Sequence, residues 1–489
     1  MIKIHLDNRY ARIEGAPDKL LRQLDKVCSY RVAGYRYSPA FKAHRWDGRE
    51  HLLVYHRRWD PSGYYFPLGL LFDVVAHLEK KREAFEIRDD RVRGESIAHD
   101  WNPSIEPRPY QDEAVQAMTS APMPGIGIMK MPPRSGKTIA AARIIHDLQA
   151  KALLIVPSRW LLHQGKKKLE HTLRCEVGVV GDNEWDVHDV TVATIGTLAA
   201  RRGGLRDDPE RPGKRKRVPP TPEYLDLTRR FDLVFVDEVH HLRSKEWHKV
   251  PMDFHAYYRI GMSATAFPDL KAEHEKGAIW LKACCGKIKI DVSTTRLIEE
   301  GWLVRPTIEL HMIDRPNLLA LPWSKEMQKA AIDENPYRNG KIVEIVSELV
   351  RIRGLKTLVV SNRLKQSSTL TKAIGAQGIG CRRIVGTTPS DERERLVAEF
   401  VSNGVDVLVG TVFGEGVDLP EVAAVVNAEG GKDVKRTIQR MRNLTPCDGK
   451  TEAVFVDFID QTNPYLAEHS LARLQTYRSE PAFRLEIKG

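Results

Sequence analysis

Cysteine is scarce. The 489 residues hold six (Cys28, Cys175, Cys284, Cys285, Cys381 and Cys447), and no two form a CxxC pair. This spacing excludes a disulfide-stapled scaffold and offers no paired thiolates for zinc or an iron–sulfur cluster, so the thiols read as reduced. Long apolar runs are also absent: none reaches the roughly 18 residues that a membrane helix needs. The opening MIKIHLDNRYAR lacks the apolar core of a secretory signal, so a soluble intracellular protein without a cleaved leader is expected. Acidic residues are outnumbered, with 65 Asp and Glu against 76 Lys and Arg, a net charge of +11 that suits a polyanionic partner.

The chain is about three times the typical domain length of roughly 150 residues, which predicts two to four domains. Short apolar runs bounded by turns begin near residue 125: GIGIMKM, KALLIVP, DVTVAT, FDLVFVD and YRIGMSA. Helical patterns separate several of them, notably Thr138 to Ala150 and Trp160 to His171, as in a parallel sheet covered on both faces. A second series, KTLVVS, VDVLVG, AAVVNA and EAVFVDF, follows residue 340. Within it, Ser390 to Val401 sets Leu396, Val397 and Phe400 on one helical face behind a serine suited to cap it. Two tandem α/β domains are therefore expected. Residues 1–100 mix short β-like runs with an amphipathic helix around Leu70 to Lys81 and read as a small α+β accessory domain. The stretch RRGGLRDDPERPGKRKRVP, with eight basic and three acidic residues, reads as a mobile surface loop, either a solvated insertion or a nucleic-acid contact.

Chemistry enters with MPPRSGKT after the first apolar run. Arg134, Ser135, Gly136, Lys137 and Thr138 match the end of a phosphate-binding loop, in which amides at a helix N-terminus surround phosphates, the lysine contacts them and the threonine hydroxyl holds Mg²⁺. The glycine usual five residues before Gly136 is replaced by Met131. One hundred residues beyond Lys137, FDLVFVDEVHH ends an apolar strand in Asp237, suited to hold Mg²⁺, and Glu238, suited to orient and deprotonate water, followed by His240. Together these two motifs point to an ATP site.

From here the chain resembles the superfamily 2 helicases of DEAD/DEAH type over about residues 105 to 460. The resemblance implies two tandem RecA-like parallel-sheet domains behind the small N-terminal domain, with boundaries expected at 1–100 (accessory, DNA-binding), 101–300 (first RecA-like), 301–340 (linker), 341–470 (second RecA-like) and 471–489 (tail). It also carries roles onto particular residues. RPYQDEAV places Arg108, Tyr110 and Gln111 at the adenine. VPSRWLLHQ and VATIGTL offer Ser158, Arg159, Thr194 and Thr197 to the nucleic-acid backbone. Ser263, Ala264 and Thr265 match the SAT motif that, with His240, couples hydrolysis to DNA movement. In the second half, Ser361 and Thr411 join the nucleic-acid set, while Gly416 and Asp418 of VLVGTVFGEGVDLP face the nucleotide. TIQRMRNLTP departs from the family's QxxGRxxR pattern: Gln439 fits, the glycine is missing, and either Arg440 or Arg442 serves as the arginine finger.

Within the superfamily, the DEVH signature and the N-terminal FKAHRWDGREHLLVYH and FPLGLLFDVVAHL are similar to the UvsW-type phage recombination helicases and their bacterial relatives. That similarity implies an ATP- and Mg²⁺-dependent helicase or translocase, monomeric and cytosolic in a bacterial or phage-infected cell, that unwinds or branch-migrates forked DNA. Arg45, Trp46, Arg49, Arg57 and Arg58 then become candidates for DNA contact, with Trp46 equally suited to a core position. The alternatives are an RNA helicase, a duplex translocase that does not separate strands, or a non-hydrolysing nucleic-acid binding relative.

Overall fold

The computed structural model describes residues 1–488 apart from 33, 56–62, 121–124, 208–213, 244–246, 267–275, 412–418, 420, 432–449 and 451. Among the candidates, Arg57, Arg58, Gly416, Asp418, Gln439, Arg440 and Arg442 lie outside the described residues. The chain forms two compact units, one of residues 1–131 with 136–291, the other of 132–135 with 292–489.

Among its described residues the first unit holds two large sheets and two two-stranded ones. In the N-terminal five-stranded sheet, Val54–Tyr55, Tyr64–Pro67, Tyr10–Glu14, Ile2–Leu6 and Phe85–Asp89 lie side by side in that order. Strict alternation along Ile2–Leu6 turns Ile2, Ile4 and Leu6 inward, where they meet Ala11 and Ile13 and the helices Asp18–Val27 and Leu71–Lys81. This segment is not the separate domain expected for residues 1–100. Its core is completed by Ile126, Ile279 and Ala283 from the following sheet domain. Gly69 makes that seam possible, because a Cβ there would lie 2.1 Å from the carbonyl oxygen of Lys282.

The second sheet of this unit has eight strands ordered Glu184–Asp186, Val177–Gly181, Val190–Thr194, Ala152–Val156, Leu233–Asp237, Tyr258–Ser263, Ile126–Lys130 and Ile288–Asp291. All pair in parallel except Glu184–Asp186. Each of the five apolar runs read from the sequence is one of these strands, and the central ones are buried almost throughout, as parallel strands covered on both faces must be. The loops carrying candidate residues leave the C-terminal ends of these strands, where ligands bind in open α/β sheets.

The second unit is built on a seven-stranded, wholly parallel sheet ordered Cys381–Ile384, Val407–Gly410, Thr357–Val360, Ala424–Asn427, Ala453–Asp460, Pro306–Ile313 and Arg484–Lys488. Two expected boundaries are corrected here. The segment 301–340, read as a linker, supplies the eight-residue strand Pro306–Ile313, which is paired on both sides. The stretch 471–489, read as a tail, holds the end of helix Pro464–Arg478 and the edge strand Arg484–Lys488. In both places pairing with strands distant in sequence overrides local composition. Helix Ser390–Val401 forms as expected and buries Leu396 and Phe400, but Pro389 rather than the serine stands at its cap position.

The described parts of the 201–219 stretch also differ from the loop expected there. Gly204–Asp207 and Arg215–Val218 form an antiparallel pair, because ladder hydrogen bonds satisfy the backbone without a core. No helix among the described residues is long and apolar enough to cross a membrane.

Candidate functional site

Helix Lys137–Leu148 starts directly after the phosphate-loop motif. Its cap residue Gly136 sits in the left-handed region (φ 77°), and no side chain caps this N-terminus. The Lys137 and Thr138 amides thus meet no side-chain cap, while the Ile139 N–H donates to the Gly136 carbonyl (2.9 Å), and with the axial dipole this N-terminus favours an anion. A Cβ at Gly136 would lie 2.4 Å from Gln111 Nε2, so only glycine leaves room for this loop. Gln111 is buried. Its Oε1 accepts from the backbone N–H of Arg108 (2.9 Å), which directs the amide nitrogen at the loop, while Arg108 Nη1 donates to the Tyr110 hydroxyl (2.9 Å). The adenine candidates thus form one cluster against the phosphate loop.

Met131, where the strict motif has glycine, is fully buried and its N–H donates to the Ser263 carbonyl (3.1 Å). It prolongs the pairing of Ile126–Lys130 with Tyr258–Ser263 by one residue, so the loop turns only afterwards. Ser135 is likewise buried, and its hydroxyl donates to the Pro132 carbonyl (2.8 Å), bracing the turn; Arg134 within it has φ 67°. Thr138, one residue into the helix, is half-buried.

Asp237 and Glu238 end the strand Leu233–Asp237, as read. Glu238 has φ 47°, a conformation costly for a non-glycine residue and one that the surroundings must hold. Those surroundings are clear. Lys137 Nζ lies 3.8 Å from Glu238 Oε1, the Ser263 hydroxyl donates to Oε2 (3.2 Å), and His240 Nδ1 is 3.3 Å from Oε2. His240 Nδ1 is also 3.0 Å from Ser263 Oγ, which accepts from the Thr265 N–H (3.1 Å). Burial alone would raise the carboxyl's pKa, but the Lys137 ammonium, then His240 and Ser263, outweigh it and keep Glu238 well below the usual carboxylate range. The site therefore presents an ionised carboxylate and an ammonium facing one another. Lys137, Asp237, Glu238, His240, Ser263 and Thr265 belong to one constellation, assembled from segments more than 100 residues apart in sequence.

These features fit a nucleoside triphosphate with a divalent cation. The uncapped helix and the glycine cradle suit phosphates, and Thr138 with Asp237 supplies the hard oxygen donors that Mg²⁺ takes. The cation's contribution there is neutralisation of phosphate charge.

The nucleic-acid candidates of this unit divide by what their side chains do. Ser158 caps helix Arg159–Leu173, and Thr194 caps helix Ile195–Arg202 while donating to Thr197 Oγ1 (2.8 Å). Each hydroxyl accepts from a first-turn amide, Ser158 from Leu161 N–H and Thr194 from Thr197 N–H (both 3.4 Å), so these caps occupy part of what each N-terminus could offer an anion. A turn not singled out in the sequence joins them: Asp182 receives Arg159 Nη1 (3.0 Å) and His163 Nε2 (2.9 Å), and a Cβ on adjacent Gly181 would lie 2.9 Å from Thr194 Oγ1. The only signal in the sequence was the turn-forming GDN triplet after an apolar run.

Three other candidates change role. Ser361 is fully buried, its hydroxyl donating to Gln366 Oε1 (2.7 Å), so it organises its loop from beneath rather than facing a ligand. Arg49 donates to Ser29 Oγ and to the carbonyls of Ser29 and Lys26, holding the pair Ser29–Arg31 with Arg49–His51 together. Trp46 is half-buried and its Nε1 donates to the Arg49 carbonyl (2.6 Å), while Arg45 is exposed. Thr411 follows the strand Val407–Gly410 and is half-buried, its N–H donating to the Ile384 carbonyl (3.3 Å).

Two parallel-sheet units, the first with a phosphate loop and a strand ending in paired carboxylates, define a RecA-type motor fold. Comparison with known proteins agrees. The family profile for the res subunit of type III restriction enzymes matches residues 104–267, and that for the helicase conserved C-terminal domain matches 340–442. The chain belongs to the superfamily 2 helicases. A Haloarcula marismortui protein that carries the name of the DNA 3'-5' helicase Rad25 is 26% identical over 427 residues, which cover 82% of this chain and 62% of that protein. The DNA 3'-5' translocase XPB2 of Sulfurisphaera tokodaii is 24% identical over 404 residues, covering 76% of this chain and 84% of its own. The chain thus spans less than two thirds of the first of these relatives. Among solved structures, S. cerevisiae Dbp5 bound to RNA and ADP BeF3 matches with a TM-score of 0.53 at 16% identity, over 78% of this chain and 90% of its own. T4 UvsW, 19% identical, aligns over 100% of this chain and 99% of its own with a TM-score of 0.44.

Proposed function

We propose that this chain is an ATP-dependent DNA helicase or translocase that unwinds or branch-migrates forked DNA. The observation that carries the reading is the Lys137–Glu238–His240–Ser263 constellation, in which the group suited to activate water is hydrogen-bonded to the segment that precedes Thr265. Lys137 binds the terminal phosphates, Thr138 and Asp237 hold Mg²⁺, and Glu238 orients water and takes its proton. Through Ser263 and His240, any change at Glu238 reaches the 263–265 segment. Gln111 positions the base.

DNA is favoured over RNA by the printed names of the Rad25 and XPB2 relatives, which also favour 3′ to 5′ movement. The net charge of +11 suits either nucleic acid. The test is steady-state ATP hydrolysis by the purified protein alone and with single-stranded DNA, duplex DNA, a synthetic fork or junction, and matching RNA. Strong stimulation by forked DNA over duplex and RNA is expected. Stimulation by RNA alone rejects the DNA reading, and no hydrolysis with any of them rejects the motor.

A further inference from the structure

The paired strands Gly204–Asp207 and Arg215–Val218 form a basic ribbon that the ATP site does not use. The register sets Leu205 against Arg217 and Asp207 against Arg215. Lys214, Arg215, Lys216 and Arg217 are all exposed, Leu205 is 67% exposed, and the Arg215–Asp207 contact of 3.4 Å lies in solvent, where such a pair contributes little. Two strands with no hydrophobic face are marginal alone. This pair is nonetheless firmly rooted. Gly203 (φ 71°) makes the turn into it at a point where a Cβ would lie 2.3 Å from the Val218 carbonyl oxygen, and the Thr221 N–H donates to the Arg201 carbonyl (2.9 Å) across the base. Arg201 stacks over the Trp185 ring at 5.3 Å, and Arg202 bonds Asp253 at 2.5 Å, itself hydrogen-bonded by the Tyr224 hydroxyl. The root arginines are anchors, and the four successive cations beyond them are exposed.

The root lies at the far end of helix Ile195–Arg202 from Thr194, about 12 Å away at 1.5 Å per residue. We propose that this ribbon is a duplex-DNA contact, placing Lys214, Arg215, Lys216 and Arg217 on the phosphates flanking a groove while the helix N-terminus at Thr194 holds the strand being tracked. A two-stranded ribbon, with strands about 4.8 Å apart, fits a major groove about 12 Å wide. The proposal rests on the DNA-motor reading and deepens it by naming where the duplex ahead of the motor is held.

The test replaces the four cations together (K214S/R215S/K216S/R217S) in the full chain and measures equilibrium binding to a 30-base-pair DNA duplex, to the matching RNA duplex and to single-stranded DNA without nucleotide, across a salt series, with single-strand-stimulated ATP turnover alongside. Duplex affinity should fall about tenfold or more at low salt, and the log–log salt slope should become shallower by about two to four. Single-strand binding and turnover should hold. Unchanged duplex affinity and slope overturn the proposal, as does an equal loss on both substrates. Loss on duplex RNA but not duplex DNA assigns the ribbon to RNA and overturns it too. Because binding is read without hydrolysis, failure of the motor reading shows separately, as absent turnover in the unaltered protein.

Discussion

Each unit of this protein carries a buried cluster of charge, and the two clusters are built to opposite ends. In the first, Lys137, Glu238, His240 and Ser263 meet at strand ends beside an uncapped helix, and Glu238 is held in a left-handed backbone. In the second, Arg473 donates to Asp457 (2.7 Å) and to the carbonyls of Gly431 and Phe458 (both 2.7 Å), while Tyr477 and Asn427 complete Asp457. Arg338 likewise donates to Asp460 (3.1 Å) and to the carbonyls of Ala428 and Glu429. In the second cluster these arginine donors end on protein acceptors and tie the loop after Asn427 to helices Pro336–Arg351 and Pro464–Arg478, while Asp460 Oδ2 accepts no hydrogen bond. The first is open, with an ammonium and a carboxylate paired to each other only until something with more charge arrives. Burial of charge by itself therefore does not mark a ligand site; an ammonium and a carboxylate facing one another beside a helix N-terminus without a side-chain cap are the stronger sign.

The comparison can be broken by exchanging the costs. Arg473→Met should destabilise the second unit by about 3–5 kcal/mol, since it strands Asp457 in the interior, while leaving binding of a fluorescent ATP analogue to the first unit intact. Chemical denaturation with that binding as a second readout decides it, and an unchanged unfolding midpoint would show that the network does not tie these elements together as described. Lys137→Ala should do the reverse. Turnover should drop about 100- to 1,000-fold, equivalent to about 3–4 kcal/mol of barrier, with little change in thermal stability and with DNA binding retained. Turnover equal to that of the unaltered protein rejects the phosphate-loop assignment.

The smallest effect sharpens a third case. Glu309, on the strand Pro306–Ile313, is buried and pairs with Arg353 (2.8 Å); burial pushes its pKa up, but His311 and Arg353 more than reverse this and hold it at about 2. A depressed carboxyl stabilises above its unfolded pKa near 4.3 and loses that contribution as pH falls through the folded value. Glu309→Gln should therefore cost about 2 kcal/mol at pH 7, and the difference from the unaltered protein should shrink between about pH 4.3 and pH 2. Paired urea melts across that window check it, and a pH-independent difference sinks the ion-pair account.

Much of this arrangement was legible in the residues. The apolar runs could be read as parallel strands because strands buried on both faces leave no alternation to misread, as in LVFVD and ALLIV. The phosphate loop and the carboxylate pair were legible because their chemistry needs particular residues next to one another. Pro306–Ile313 was not, since Glu309 and His311 break its apolar run and only pairing on both sides makes it a strand. Nor could sequence tell that Ser361 faces inward, that Arg49 braces a strand pair, or that Asp182 joins two candidate loops.

What the sequence determined by itself was local: which segments pack as strands and helices, which side chains are candidates to bind phosphate or activate water, and the order of motifs that the superfamily 2 helicases share. Tertiary structure alone decided the pairings. It brought Lys137 to Glu238 and Gln111 to Gly136, merged the N-terminal sheet into the first unit's core, and turned a stretch of arginines and glycines into a rooted ribbon. The physical reason is range. Helical periodicity and caps act over a few residues, whereas these contacts form between groups far apart in the chain, and their free energy exists only once both sides have been brought together.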